Sequence, residues 1–431
     1  MVDEPARLRP RLGLVETTLS GVGIILGAGI YVLVGDVAGK AGDTLWVSFL
    51  FAALAAAAIG LCYAELASAF PRAGADYEYT RQALGARSAF VVGWLIVIGN
   101  LVAAAAVAIG FASYLQEFWD VGIRPIAVGV LIVATLIAWV GIRETVWTAI
   151  ALTLIEAAGL VFVIAIGVPH FGDVDLLAAK GGAFGIFSGA ALVMFAFIGF
   201  EQIATLAEET RDAPRTVPRA LLLAIVVTTA LYLLVAVSAV SVLGWEALSD
   251  SDAPLAAVTE EVLGGRASDY LAVVALFSTA NTVLLLLVAA SRLIYGMADT
   301  GSLPRFLAWV HPRMHTPVRA IVLSLVVSMG FALSGDLELV AGATNFAVFI
   351  GFGAVAVSLI VLRFRAPELE RPFRAPLNIG RMPLLPVVAL GAIAFMMANL
   401  DIDALIVGGG LFLLGVVAME ALELWRPAHA A

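Results

Sequence analysis

The chain has 431 residues, of which 62% are hydrophobic and only 13% charged, and its mean hydropathy is +1.04. A water-soluble protein of this size carries about a quarter charged residues, so the composition excludes a soluble globular fold and gives an all-α polytopic membrane protein. The net charge of −9 sits mostly in loops, no basic stripe points to nucleic acid, and a single cysteine, Cys62, excludes an internal disulfide.

A spanning helix needs about 20 apolar residues. Twelve segments qualify in chain order: 14–36, 44–69, 88–115, 125–142, 146–169, 184–207, 219–243, 268–298, 318–334, 338–362, 383–400 and 403–425. Arg7, Arg9 and Arg11 lead into the first without a convincing cleavage site, so no cleavable signal peptide is expected. With the N-terminus inside, 20 basic residues fall in cytoplasmic segments and 4 (Lys40, Arg124, Lys180, Arg266) outside, together the full 24. Lys and Arg favour cytoplasmic loops, and a missed span would invert every later loop and destroy this asymmetry. Twelve spans with both termini cytoplasmic is the expectation. The stretches Arg72 to Arg87 and Glu246 to Arg266 read as small re-entrant or surface helices.

Two spans are interrupted near their middles. The first carries Gly21-Val22-Gly23-Ile24-Ile25-Leu26-Gly27-Ala28-Gly29-Ile30 and the sixth Phe195-Ala196-Phe197-Ile198-Gly199-Phe200-Glu201. Glycine lets the backbone leave helical geometry, which a bilayer tolerates only where protein buries the freed groups or a wet cavity receives them. Five spans separate the two breaks, so the second group enters from the opposite side, as in the inverted repeats of secondary transporters. The expected organisation is a cytoplasmic N-terminus (1–13), a first repeat of five helices (14–169), a second repeat of five (184–362), two extra C-terminal helices (383–425) and a cytoplasmic tail (426–431). There is no G-x-x-x-x-G-K-[ST] phosphate loop, so transport must draw on a gradient or on exchange. No metal-ligand constellation or nucleophile–base pair argues for an enzyme, and no cofactor is expected.

The breaks themselves suggest a site. Unwinding at Gly27, Ala28 and Gly29, flanked by Ile25, exposes main-chain N–H groups at the positive end of a half-helix, which suits a substrate carboxylate. Close helix packing through small residues is the competing explanation. Unwinding at Ile198 and Gly199 frees carbonyls that accept from a substrate ammonium. Glu201, deep in the sixth span, is either a gating or proton-responsive acid or a cap on the second half-helix, since an intramembrane carboxylate must be paired, hydrated or protonated. Asn100 and Asn281 either face the pocket or join helices.

Several ordered blocks resemble the amino acid–polyamine–organocation superfamily, specifically its prokaryotic amino acid permeases. They are Gly27-Ala28-Gly29-Ile30, Tyr63-Ala64-Glu65-Leu66 through Phe70-Pro71-Arg72-Ala73-Gly74, Phe197-Ile198-Gly199-Phe200-Glu201, Glu208-Glu209-Thr210 to Pro218-Arg219, and Ala290-Ser291-Arg292-Leu293-Ile294-Tyr295-Gly296-Met297 with Gly301-Ser302-Leu303-Pro304. The resemblance implies the five-plus-five inverted repeat with unwound helices 1 and 6, alternating access, the cytoplasmic membrane of a prokaryote, and a central site for an amino acid or amine. It places Phe197, Ile198 and Phe200 at the substrate, with Phe200 closing from outside. It aligns Glu156 with a lysine that replaces a sodium ion in proton-coupled relatives, so Glu156 either titrates, binds a cation or bonds a neighbouring helix. Ser278 and Thr279 fall where sodium-coupled cousins place hydroxyl ligands, leaving a proton or sodium as the coupling ion. Gly99-Asn100 stands where cationic carriers have a glutamate, which favours neutral amino acids. The alternatives are a polyamine or amine–amino acid exchanger, a non-transporting sensor or a channel. Membrane lipid is the other partner, and oligomeric state is not legible.

Overall fold

The computed structural model describes residues 10–116, 121–251, 254–334, 337–398, 400 and 402–425. The tail 426–431 and residues 1–9 of the expected N-terminus therefore lie outside the described residues. Fifteen α-helices account for nearly all of the described chain. In the first half these are α1 (Leu14–Ala41), α2 (Leu45–Ala69), α3 (Ala75–Leu84), α4 (Ala86–Gln116), α5 (Ile123–Val140) and α6 (Ile142–Gly167). The second half holds α7 (Gly182–Phe197), α8 (Gln202–Thr205), α9 (Ala213–Ser249), α10 (Pro254–Leu263), α11 (Gly265–Asp299), α12 (Val318–Ser334) and α13 (Leu337–Arg365), followed by α14 (Leu384–Ala398) and α15 (Ile402–Trp425). A two-residue hairpin, β1 (Asn378–Ile379) with β2 (Met382–Pro383), precedes α14.

Among the described residues nine helices are long and apolar enough to cross a membrane, and three shorter apolar helices accompany them at Val318–Leu333, Leu384–Ala398 and Leu405–Ala421. The long helices also carry apolar side chains on their outer faces. Val133 and Leu136 on α5, Leu154 and Val161 on α6, Val226 on α9 and Val326 on α12 are all more than half exposed, the pattern of a bundle solvated by lipid tails.

The element ends follow from local chemistry. Helix α9 begins six residues before the expected span because Pro214 occupies its first turn, where a missing N–H costs nothing, and it leaves helical geometry only at Gly244 (φ 72°). Both short segments expected to be helical hold helices. Helix α3 is not a surface element, since Ala75, Tyr77 and Tyr79 are fully buried against α4 and α13.

The sixth span is not one rod. Helix α7 stops at Phe197, four turn residues follow, and α8 adds a single turn before a 3₁₀ turn over Ala207–Glu209. Helix α1 is kinked, with non-helical angles at Gly27 (φ 0°, ψ −169°).

Candidate functional site

The two interrupted segments touch. A Cβ on Gly199 would lie 2.5 Å from Ile24 Cγ2 and 3.2 Å from the Ile24 carbonyl, and one on Gly29 would lie 2.9 Å from the Ala196 main chain. Only glycine allows this approach, and Gly199 also holds φ +126°, a conformation that L side chains rarely adopt. Tyr232 of α9 ties both breaks together: its hydroxyl is 2.5 Å from the Ile25 carbonyl and 3.1 Å from the Ala196 carbonyl. Ala28 belongs to the second half of α1, and its side chain lies outside the described residues.

Beyond Gly199 a chain of polar contacts runs into α4. The Gly199 N–H donates to Glu201 Oε2 (2.9 Å), and Gln202 Nε2 donates to Glu201 Oε1 (3.0 Å) and to Asn100 Oδ1 (3.1 Å). Glu201 thus turns back onto the break, and its carboxylate satisfies a main-chain donor that unwinding released. Phe197 is fully buried and meets Tyr232 edge-on, with ring centres 5.2 Å apart. Phe200 faces elsewhere: it stacks on Phe352 at 5.3 Å and meets Tyr63 edge-on at 5.9 Å. Tyr63 in turn donates to Asp76 of α3. Phe200 is thereby linked through Tyr63 to Asp76 of α3. Asp76 is buried and its carboxyl is pushed up to about 6 by desolvation, against the hydrogen bond from Tyr63 that favours the ionised form.

A second polar cluster lies between α1, α6 and α11. Glu156 is fully buried, and Ser278 Oγ donates to its Oε1 at 2.5 Å. Tyr31 donates to the Glu156 carbonyl at 3.2 Å, and Asn281 Nδ2 donates to Thr153 Oγ1 at 2.9 Å. Among the described residues Glu156 Oε2 and Asn281 Oδ1 find no hydrogen-bond partner, which is costly for buried oxygens. Thr279 gives its hydroxyl hydrogen to the carbonyls of Ala275 and Leu276 within α11. The structure thus brings Glu156, Ser278 and Asn281 together and leaves Thr279 apart from them. Asn281 belongs to this cluster, whereas Asn100 belongs to the Glu201 chain.

Polar contacts join elements at both ends of the bundle. At the face carrying residues 10–12 and α3, Glu65 is paired with Arg363 (2.6 Å) and Arg371 (3.2 Å) and accepts from the Ala375 N–H (2.8 Å). Glu209 is paired with Arg292 (3.2 Å), both fully buried. Arg72 is paired with Glu78 (3.3 Å) and Arg215 with Asp212 (3.8 Å). Burial also raises Glu208, which accepts from the Ala73 N–H at 3.1 Å. At the other face, Gly42 bridges Ala179, Trp46 Nε1 donates to the Leu176 carbonyl (2.9 Å), and the Trp245 N–H donates to Asp43 Oδ1 (3.1 Å).

The sequence assigned no role to Tyr232, Gln202, Thr153, Arg292 or Arg363, although Arg292 lies in one of the blocks that carry the resemblance. Arg292 and Arg363 stand at helix ends like ordinary topological arginines, and nothing local marks the others. Trp94 packs on Phe90 and donates to the Leu411 carbonyl of α15.

The model of the family described as amino acid permease matches residues 12–417, which includes both breaks and both polar clusters. The chain belongs to the amino acid permease family. Members of this family are transporters, not enzymes, and the chain is accordingly a polytopic transmembrane permease. It is similar to a branched-chain amino acid permease of Bacillus subtilis (strain 168), 29% identical over 91% of this chain and 88% of the relative. A methylthioribose transporter from the same organism is 29% identical over 90% of this chain and 88% of its own length. A vacuolar cationic amino acid transporter of Arabidopsis thaliana is 31% identical over 85% of this chain and 65% of its own.

Proposed function

We propose that this permease is a secondary active transporter that moves amino acids across the cytoplasmic membrane of a prokaryote by alternating access, with neutral amino acids favoured. The observation that carries the reading is the contact between two interrupted helices, fastened by Tyr232 at the carbonyls of Ile25 and Ala196. Main-chain N–H groups of α1 around Gly27, Ala28 and Gly29 take the substrate carboxylate, and the carbonyls around Ile198 and Gly199 take its ammonium. Ile25, Phe197 and Asn100 line the site. The orientation of Phe200 favours Phe197, beside Tyr232, as the group that closes from outside.

Twelve spans in a five-plus-five inverted repeat underlie this reading. Exchange of partners between the halves supports it: α9 packs on α1 as α2 packs on α7, and α4 packs on α13 as α11 packs on α6. Helices α3 and α10, each placed between the second and third spans of its half, pack on α4 and α11 respectively.

Coupling is assigned to a proton at Glu156, with Glu201 as the gating acid. Glu156 has a buried oxygen free to carry a proton, and the Ser278 hydroxyl is spent on the other oxygen. Sodium at Ser278 and Thr279 is the second reading for the coupling ion.

Purified protein in proteoliposomes, given an inward proton gradient and radiolabelled amino acids, tests this. Accumulation of a neutral amino acid, uncompeted by amino acid methyl esters, is the expected result. Esters that compete as well as acids would favour an amine exchanger, binding without uptake a sensor, and conductance without countertransport a channel. Glu156→Gln is expected to keep binding and lose gradient-driven accumulation by at least about tenfold. PH-dependent accumulation that survives in the variant removes Glu156 from coupling.

A further inference from the structure

One cavity lies apart from the transport site. Arg11 and Leu12 both donate their main-chain N–H to the Glu209 carbonyl (2.8 and 2.9 Å), and Arg211 returns its N–H to the Leu12 carbonyl (2.8 Å). The hydroxyls of Thr17 and Thr210 meet at 3.4 Å beside this pairing. The N-terminal segment is thereby zipped to the stretch that follows the sixth span, and Glu209 in that stretch is held by Arg292. Between this zipper and the first turns of α6 opens a groove of about 420 Å³, lined by Arg11, Leu12, Glu16, Val146, Trp147 and Arg211.

The lining is charged without being paired. Arg11 and Arg211 are exposed, and neither guanidinium has an ion-pair partner among the described residues. Glu16, the one acid among the described lining residues, already accepts from the Gly13 N–H at 3.0 Å. Trp147 in the lining is 55% exposed, so the groove continues onto apolar surface. Two guanidiniums match phosphate oxygens in geometry and charge. Indole and aliphatic groups beside them occupy the depth where headgroup meets acyl chain. A free anion has no use for that apolar rim.

We infer that this groove binds the phosphate headgroup of an anionic phospholipid of the inner leaflet. The headgroup bridges Arg11 to Arg211 and holds the N-terminal segment against residues 209–211. Inner-leaflet placement rests on the cytoplasmic N-terminus proposed above. Such a lipid stabilises the closed state of that face, because it ties together two segments that must separate for the face to open.

The test uses the full chain in a neutral detergent, with its melting temperature followed during titration with phosphatidylglycerol, phosphatidylcholine or inorganic phosphate. Phosphatidylglycerol is expected to raise it saturably by about 3 °C, and the other two to leave it unchanged. The pair Arg11→Gln, Arg211→Gln is expected to lose the rise, and Arg11→Lys, Arg211→Lys to retain at least half of it. A rise that persists in the glutamine pair, or that phosphate alone reproduces, overturns the lipid site. The readout needs no transport, so its failure is distinct from failure of the carrier reading.

Discussion

Gly199 shows most directly how one residue type serves the site. Its φ of +126° is a conformation L residues rarely adopt, and the Ile24 side chain and carbonyl occupy the space a methyl would need. Gly199→Ala is therefore expected to lose uptake by at least about tenfold and to lower the melting temperature, with a stability cost of about 1–3 kcal/mol for the backbone alone. Wild-type uptake in the alanine variant would contradict a close approach of the two breaks. Asp76 gives a second test at this scale. The folded protein holds its proton up to about pH 6, against an ordinary value of 3.8. Between these values the folded state binds more protons than the unfolded one, so stability falls as pH rises through the window and stays at the lower level above it. Asp76→Asn keeps an acceptor for Tyr63 and removes the charge. The variant is expected to gain on the order of 3 kcal/mol relative to wild type above pH 6 and to lose the slope. Melting temperatures of both proteins from pH 4 to 7.5 check it, and parallel curves would exclude an ionising buried Asp76.

At the scale of elements, buried charge decides which helix ends are fixed. Glu65 near the end of α2 carries two arginines, Arg363 from the end of α13 and Arg371 from the segment beyond. Glu65→Gln leaves both guanidiniums without their anion, and breaking such a buried arrangement costs roughly 3–5 kcal/mol. A clear drop in melting temperature in detergent is expected, whereas an unchanged one would mean the network is neutral to stability. This arrangement also marks where sequence reasoning stops. The long apolar segments announce their helices by composition, and the glycines of α1 and the sixth span announce their breaks, because both signals are local. The pairing of Glu65 with arginines about 300 positions away is not local, and neither is the reach of Tyr232 to two broken helices. Gln202 was invisible for the same reason: its meaning lies in Asn100, on a helix a hundred residues earlier. Phe200 was visible, but its direction was not, since the sharp turn at Gly199 reorients it toward Tyr63 and Phe352.

For the whole molecule, the contacts that join elements at each face make transport a matter of which set breaks first. The face that carries the N-terminal segment is held by main-chain pairing of Leu12 with Thr210 and by the buried Glu209–Arg292 pair. The opposite face relies on the Gly42–Ala179 bridge and on contacts of Trp46 and Trp245. Each set opens only at a cost that substrate binding must offset. If residues 10–12 must leave residues 209–211 in each cycle, a covalent tie there stops transport without touching the substrate site. Leu12→Cys with Thr210→Cys places two thiols at bridged positions, within the span a disulfide needs. The native Cys62 does not interfere, because it is fully buried and donates to the Ala58 carbonyl. Oxidation is expected to cut uptake at least about tenfold, and a reductant to restore it, with the cross-link verified by mass. Unimpaired uptake by a fully cross-linked population would mean that this face opens elsewhere and that the N-terminal zipper is static.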